Sequence, residues 1–334
     1  MPRPPQSNFW FARSLFGLYL DDTIYQYNIL YYKIMLMWLA VIILAYLFFG
    51  LGSFFDKLVL AGKPQPNSYI FYAGITGLVM LVLIPFANFG LLSPQGFMWV
   101  VLDAIVRVAG IYAMYKALEK FEVSRVIATI GATQPIFIFI LTLIFFGQQI
   151  MSLAYLFAFL LLLLGSIIIS IEKNHELTAN YLKITMFSSA MFSLDYIFSK
   201  FVFSNAGFLQ GVVWISIFIA LLVSLFLIPQ KSRREIFARR MVSNKKTQVS
   251  FFCAQASGGL ANFLQGFAIF LAPVALLPVV NSLRGIQYVF LFFITLFFSY
   301  FSPRVLKEEI SKRIIFQKTI SIIFIAVGLV MLVV

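Results

Sequence analysis

Charged residues are scarce in this sequence, and cysteine and histidine are nearly absent. Only 11% of the 334 residues are charged, whereas a soluble protein carries roughly 25%, so a water-soluble globular protein is excluded. The single Cys253 and the single His175 provide neither a disulfide framework nor a zinc site.

Apolar residues are abundant instead, at 62% of the chain, with a mean hydropathy of +0.97. They form long runs, and a membrane-spanning helix needs about 20 mostly apolar residues. The predicted fold class is therefore an all-α membrane protein with ten transmembrane helices. The ten segments lie near residues 34–58, 68–90, 96–118, 123–146, 150–171, 183–205, 208–229, 249–272, 274–301 and 312–334.

The chain contains an internal repeat. Residues 134–146 align without gaps to residues 287–299, and residues 54–59 align in the same way to residues 197–202. The ten segments therefore divide into two copies of five helices. Because five is odd, the second copy must enter the membrane upside down, which predicts an inverted repeat.

This repeat defines the domain organisation. The N-terminal tail lacks the short apolar core and the small-residue cleavage site of a signal peptide. It is either an interfacial helix or a loosely ordered aromatic-rich tail. The predicted parts are a tail at 1–33, a first five-helix repeat at 34–172, and a second repeat at 173–334 that includes a basic loop at 230–247.

These features resemble the ten-helix, EamA-type members of the drug/metabolite transporter superfamily. The likeness covers residues 35–334. A lysine closes the first helix of each copy (Lys57 and Lys200), and a glycine lies late in the last helix of each copy (Gly165 and Gly328). The fourth helix contains the sequence Pro-Ile-Phe at residues 135–137. The resemblance implies a secondary transporter of small metabolites rather than an enzyme, with a central cavity between the copies and no bound cofactor.

The expected partners are a small-molecule solute and membrane lipid, and the protein is expected to be a monomer or a homodimer in the bacterial inner (plasma) membrane. The net charge of +13 does not indicate nucleic acid, because Lys and Arg accumulate in cytoplasmic loops. Most of them follow the odd-numbered segments, which places both termini outside. Proteins similar to this one usually have both termini inside, so the orientation stays open.

Charged residues within the segments need partners, because an ionised side chain at the bilayer centre costs on the order of 3 kcal/mol or more. Asp103 and Arg107 are four residues apart on one helical face, so they can pair. Lys57 and Lys200 lie nearer the segment ends, where they are expected to snorkel to the lipid headgroups.

Arg284 is the strongest candidate for a functional charge. Its own segment offers no acid at helical spacing, so it needs Asp195, Asp103 or an anionic group of the substrate. The same two aspartates are candidates for coupling transport to protons, since desolvation favours the protonated form of a carboxyl group.

Uncharged polar side chains occur in the same segments. Together with the arginines they predict a cavity rich in hydrogen-bond donors, suited to an anionic or zwitterionic solute such as an amino acid, an organic acid or a sugar phosphate. Any single amide has the alternative role of joining helices, worth about 1 kcal/mol. The predicted substrate-binding residues are Arg107, Gln134, Asn262, Gln265, Arg284, Gln287 and Tyr288.

Three classes of function are consistent with such a chain. The leading prediction is a secondary transporter in which the two copies rock around a site at the membrane midplane. A lipid-modifying membrane enzyme would need a polar catalytic cluster at the interface, and His175 near Glu172 and Glu176 is the only such grouping in the sequence. The third class is a passive channel, against which the inverted repeat argues.

Overall fold

The computed structural model describes residues 24–60, 66–121, 123–147, 152–170, 178–237, 245–301 and 312–333, and the regular elements in these ranges are all helices. In chain order the α-helices are α1 (Ile24–Leu60), α2 (Pro66–Thr76), α3 (Pro94–Leu118), α4 (Val123–Phe146), α5 (Leu153–Ser170), α6 (Ala179–Ala206), α7 (Phe208–Ser224), α8 (Gln230–Phe237), α9 (Lys245–Leu271), α10 (Leu277–Ser282), α11 (Gly285–Phe301) and α12 (Lys312–Val333). The 3-10 segments Gly77–Phe86 and Leu225–Leu227 continue α2 and α7, and Val274–Leu276 precedes α10. Each predicted segment overlaps one helix or consecutive helices.

Many of these helices are long and apolar enough to cross a bilayer. Among the described residues six stretches meet both requirements: Met37–Phe55, Asn67–Phe86, Pro94–Leu118, Thr129–Phe146, Phe208–Leu227 and Val274–Ile294. Shorter apolar helices occupy Leu153–Ile168 and Phe316–Leu332. The chain is therefore an integral membrane protein, while the count of ten spans and their inverted arrangement remain predictions.

The distribution of side chains also fits a lipid environment. Large apolar residues such as Phe86, Leu91 and Phe252 are exposed on the outside of the bundle, where lipid tails are a suitable solvent. Small hydroxyl side chains are buried between helices instead. Ser188 of α6, for example, donates to the carbonyl of Gly110 in α3 at 2.9 Å, which is the kind of interhelical hydrogen bond that membrane proteins use.

Local sequence explains where several helices begin and end. The Ser93 hydroxyl accepts from the backbone N–H of Gly96 at 3.1 Å, and Pro94 occupies the first turn of α3, where its missing N–H costs nothing. Thr178 caps α6 in the same way. Between α6 and α7 the chain turns at Gly207, whose φ of 74° is open to glycine without strain.

The helices pack in reciprocal pairs. The contact of α1 with α9 corresponds to the contact of α6 with α3. In the same way, the contact of α1 with α11 corresponds to the contact of α6 with α4. Helices α5 and α12 pack on each other through glycines, because a Cβ at Gly165 would lie 2.7 Å from Ile325 Cγ1 and a Cβ at Gly328 would lie 2.8 Å from Leu162 Cγ. Each contact thus has a counterpart in which the two predicted repeats exchange places.

The ninth predicted segment is not a single helix, so the prediction of continuous helix over 274–301 is wrong. A turn at Leu283 and Arg284 separates α10 from α11. There the amides of Arg284 and Gln287 each bond to a carbonyl three residues back, both at 3.0 Å, which tightens the backbone relative to an α-helix. Irregular backbone at membrane depth is tolerated where protein surrounds it or where it lines a cavity, and residues 276–283 are all buried.

Helix also occurs in two regions that were predicted to lie between or before the membrane segments. Helix α1 begins at Ile24, so the end of the predicted tail 1–33 belongs to it. The predicted basic loop 230–247 starts with the short helix α8, which is attached to α2 through the Ser68 hydroxyl donating to the Glu235 carbonyl at 2.7 Å. Residues 1–23 and 238–244 lie outside the described residues.

Candidate functional site

Arg284 is half-buried and lies at the turn between α10 and α11. One Nη1–H group donates to Oε1 of Gln134 in α4, and Gln134 Nε2 in turn donates to the carbonyl of Phe192 in α6 at 3.4 Å. The Nε–H group of Arg284 has no hydrogen-bond partner among the described residues. The guanidinium is therefore held in place by an amide while one of its donors stays available.

Of the three partners expected for Arg284, neither aspartate is paired with it in the structure, and an anionic group of the substrate stays a prediction. Asp103 and Asp195 both interact with Arg107 instead, and within the described part of the chain no carboxylate lies at ion-pair distance from Arg284. Its charge is thus compensated by neutral groups alone. A half-buried guanidinium in this situation is well suited to bind an anionic group.

Tyr288 lies one turn beyond Arg284, and its hydroxyl donates to the carbonyl of Ile127 in α4 at 3.2 Å. Both side chains fit against α4 because Gly131 has no side chain. A Cβ at Gly131 would collide with the Tyr288 hydroxyl and would lie 3.5 Å from Arg284 Cδ. Gly131 carries no signal in the sequence, although it lies one turn before Gln134 on the same face.

Two further tyrosines and an asparagine lie in the same region of the interior. The Tyr46 hydroxyl of α1 donates to the carbonyl of Val280 at 3.0 Å and lies close to the side chains of Tyr196 and Gln265. Asn281, one turn before Arg284, is fully buried, and neither polar atom of its side chain has a partner among the described residues. Neither Tyr46 nor Tyr196 is recognisable as a site residue from the sequence, because each lies in a largely apolar stretch.

The remaining predicted amides differ in position. Gln287 is buried and donates through Nε2 to the Ser53 hydroxyl at 3.0 Å, which joins α11 to α1. Gln265 approaches Tyr46, as described above. Asn262 is exposed and donates to the carbonyl of Gly258 in its own helix at 2.8 Å, so the structure does not bring it to Arg284.

A second polar group, here named the acid–arginine cluster, consists of Asp103, Arg107, Asp195 and Ser199 between α3 and α6. Arg107 Nε donates to Asp195 Oδ1 at 2.7 Å, and Arg107 Nη2 lies 3.5 Å from Asp103 Oδ2. Nη2 also donates to the Ser199 hydroxyl at 3.1 Å, which donates to Asp103 Oδ1 at 2.8 Å. The predicted pairing of Asp103 with Arg107 is confirmed, and Asp195 from another helix is the nearer partner.

Helix α6 connects the two groups. The carbonyl of Phe192 accepts from Gln134, which holds Arg284, and one turn later Asp195 binds Arg107. A shift of α6 therefore affects both groups together.

Lys200 does not snorkel to the headgroups, so that prediction is wrong. Its side chain is buried, and Nζ donates to the carbonyls of Ile269, Phe270 and Ala272 at 2.9, 2.9 and 2.7 Å. These groups lie at the carboxyl end of α9, where the last carbonyls of a helix lack intrahelical donors. Pro273 has no N–H to offer Ile269, and the ammonium takes its place.

Some predicted features fall outside what the structure describes. They include the side chain of Lys57 and the grouping of His175 with Glu172 and Glu176. Among the residues that are described, no group of three or more histidine, cysteine, aspartate and glutamate side chains is placed to hold a metal ion.

An all-helical membrane protein that holds arginine, carboxyl and amide side chains in its interior has the construction of a membrane transporter. Comparison with known proteins agrees. Residues 36–171 match the EamA-like transporter family, and this match confirms the resemblance seen in the sequence. The matched stretch is an EamA-type unit of the drug/metabolite transporter superfamily.

Solved structures share the fold. Chains from solved structures match in 27 cases. One of them, a crystal structure of a protein, aligns with a TM-score of 0.63 over 90% of this chain and 95% of that chain. The sequence identity is 15%, so this likeness concerns the fold alone. No curated protein sequence matches this chain.

Proposed function

We propose that the protein is a secondary transporter that moves a small anionic or zwitterionic metabolite across the bacterial inner membrane by alternating access. The observation that carries the proposal is the Arg284 guanidinium, which is held by Gln134 at an irregular turn without a carboxylate partner among the described residues. A half-buried charge with no opposite charge beside it is destabilising. Binding of a solute carboxylate or phosphate offsets this cost, which favours amino acids, organic acids or sugar phosphates as solutes.

The proposed binding site is built around the turn between α10 and α11. Arg284 and Tyr288 provide donors on one side, and Gln134 orients the guanidinium from α4. Gln265 and Gln287 belong to the helices that enclose the turn. Arg107 and Asn262, also predicted from the sequence, lie apart from this group.

We further propose that ten helical stretches cross the membrane as two inverted repeats. The reciprocal packing of α1 on α9 and of α3 on α6 supports this arrangement, as does the glycine contact between α5 and α12. Repeats that exchange partners in this way can rock against one another around a site between them.

Counterflow in proteoliposomes tests the proposal. Vesicles containing the purified protein are loaded with unlabelled glutamate, succinate or glucose 6-phosphate, and uptake of the same labelled compound is measured. We expect saturable counterflow with at least one of the three probes, since a passive channel would show neither saturation nor stimulation by internal solute. Absence of counterflow with all three would overturn the proposed solute class.

Substitution of Arg284 then tests the site. Arg284→Ala is expected to abolish counterflow, and Arg284→Lys is expected to retain a fraction of it, because the charge remains while the planar fork is lost. The matched control is Arg233→Ala, which removes an exposed arginine of α8 and should leave counterflow unchanged. Equal counterflow in Arg284→Ala and Arg233→Ala would contradict the site assignment.

A further inference from the structure

The acid–arginine cluster contains two carboxyl groups and one guanidinium. Arg107 contacts Asp195 at 2.7 Å and Asp103 at 3.5 Å, and the two carboxyl groups also lie close to each other. Asp103 is fully buried, and its Oδ2 atom has no hydrogen-bond partner among the described residues. With both aspartates ionised, the cluster carries one net negative charge inside the membrane.

The surrounding helices offer little to neutralise this charge. Within the described residues, α2 and α7, which pack on α3, contain no charged side chain. From α6 the neighbouring titratable groups are Tyr196 and Lys200, and the ammonium of Lys200 is bound to the carbonyls at the end of α9. Arg284 is bound to Gln134, and Lys116 of α3 is paired with Glu119 at 3.2 Å.

We propose that the acid–arginine cluster holds one exchangeable proton, shared by Asp103 and Asp195, and that this proton couples solute movement to a proton gradient. The coupling rests on the proposed transport function. Two neighbouring carboxyl groups that cannot both remain ionised share a proton, and here Arg107 stabilises the single remaining carboxylate. Binding of the proton to a carboxylate oxygen makes the cluster neutral, and its release restores the negative charge.

The structure indicates how the proton is exchanged and how it affects the solute. The Asp195 side chain is 16% exposed and that of Asp103 is 0% exposed, so Asp195 is the more accessible of the two, and we assign proton exchange to it. A change in the attraction between Asp195 and Arg107 alters the contact of α6 with α3. The same helix contacts Gln134 through the Phe192 carbonyl, which connects the protonation state to the group that orients Arg284.

Infrared spectroscopy tests the proton site without any solute. A protonated carboxyl group gives a C=O stretch that a carboxylate lacks, and we expect this band at neutral pH in the purified full-length protein. In Asp103→Asn and in Asp195→Asn the single remaining carboxylate is neutralised by Arg107, so each variant should lose the band. Glu119→Gln, which changes an exposed acid next to the end of α3, should keep it. Absence of the band in the wild type, or its persistence in both asparagine variants, would overturn the proposal.

Transport tests the coupling. Proteoliposomes are assayed with labelled glutamate, succinate and glucose 6-phosphate, first as counterflow at equal pH and then as net uptake under a pH gradient. Glu119→Gln is expected to keep counterflow and the acceleration by the gradient, and Asp195→Asn is expected to lose the acceleration. Unchanged acceleration in this variant would refute the coupling. Absence of counterflow in the wild type would instead refute the transport function, while the infrared result would still stand.

Discussion

The buried ammonium of Lys200 offers a direct test of how this membrane fold is held together. Replacement by methionine keeps a chain of similar length and removes every hydrogen-bond donor. The carbonyls of Ile269, Phe270 and Ala272, which accept from Nζ at 2.7 to 2.9 Å, then lose this donor. Lys200 is buried, so water has little access to these carbonyls, and Pro273 has no N–H with which to replace the lost donor.

The magnitude follows from two opposing terms. A hydrogen bond to a charged donor contributes about 1.5–3 kcal/mol, so three such bonds are substantial. Removal of the ammonium also relieves the cost of burying it, which amounts to roughly several kcal/mol. We therefore expect Lys200→Met to lower the free energy of unfolding by about 3 kcal/mol.

Thermal unfolding in detergent measures this effect. A loss of about 3 kcal/mol corresponds to a fall in melting temperature on the order of 5–10 °C. Lys183→Met is the matched control, because Lys183 is exposed on the same helix and surface substitutions usually change stability by less than about 0.5 kcal/mol. If the two variants unfold at the same temperature, the capping role of Lys200 is refuted.

Two glycines provide further predictions. Gly165→Ala places a Cβ 2.7 Å from Ile325 Cγ1 and should destabilise the fold by about 1–3 kcal/mol through overpacking. The control Gly259→Ala, which has open space around its Cβ, should not. Equal melting temperatures of the two variants would contradict the close packing of α5 on α12. Gly131→Ala should also lower the melting temperature, because its Cβ collides with the Tyr288 hydroxyl. Adding Tyr288→Phe should restore most of the loss, and a double variant as unstable as Gly131→Ala would show that this contact is not the cause.

The helices themselves were largely predictable, because hydropathy and turn residues act locally. The segment predicted at 123–146 coincides with α4. The ninth segment was predicted as one helix because its apolar composition continues through the turn at Arg284. At this turn the backbone hydrogen bonds span three residues instead of the four of an α-helix, and hydropathy does not detect this change.

The candidate site was only partly predictable. The pairing of Asp103 with Arg107 follows from their spacing on one helix. Arg284 was identified because an unpaired arginine in an apolar segment is costly. Gln134 was identified as a separate site residue, but the contact between the two was not. Gly131 gave no signal, since its importance depends on a tyrosine from a different helix.

Composition and apolar runs alone were sufficient to establish an all-helical membrane chain, because the preference of apolar runs for lipid does not depend on where neighbouring helices lie. The resemblance to EamA-type transporters rested on the internal repeat and a few motif residues. The folded arrangement decided which polar groups meet: Arg284 with Gln134, Arg107 with Asp195, and Lys200 with the end of α9. Each of these contacts joins residues on different helices. Their formation depends on helix packing, which brings together positions that no local pattern relates.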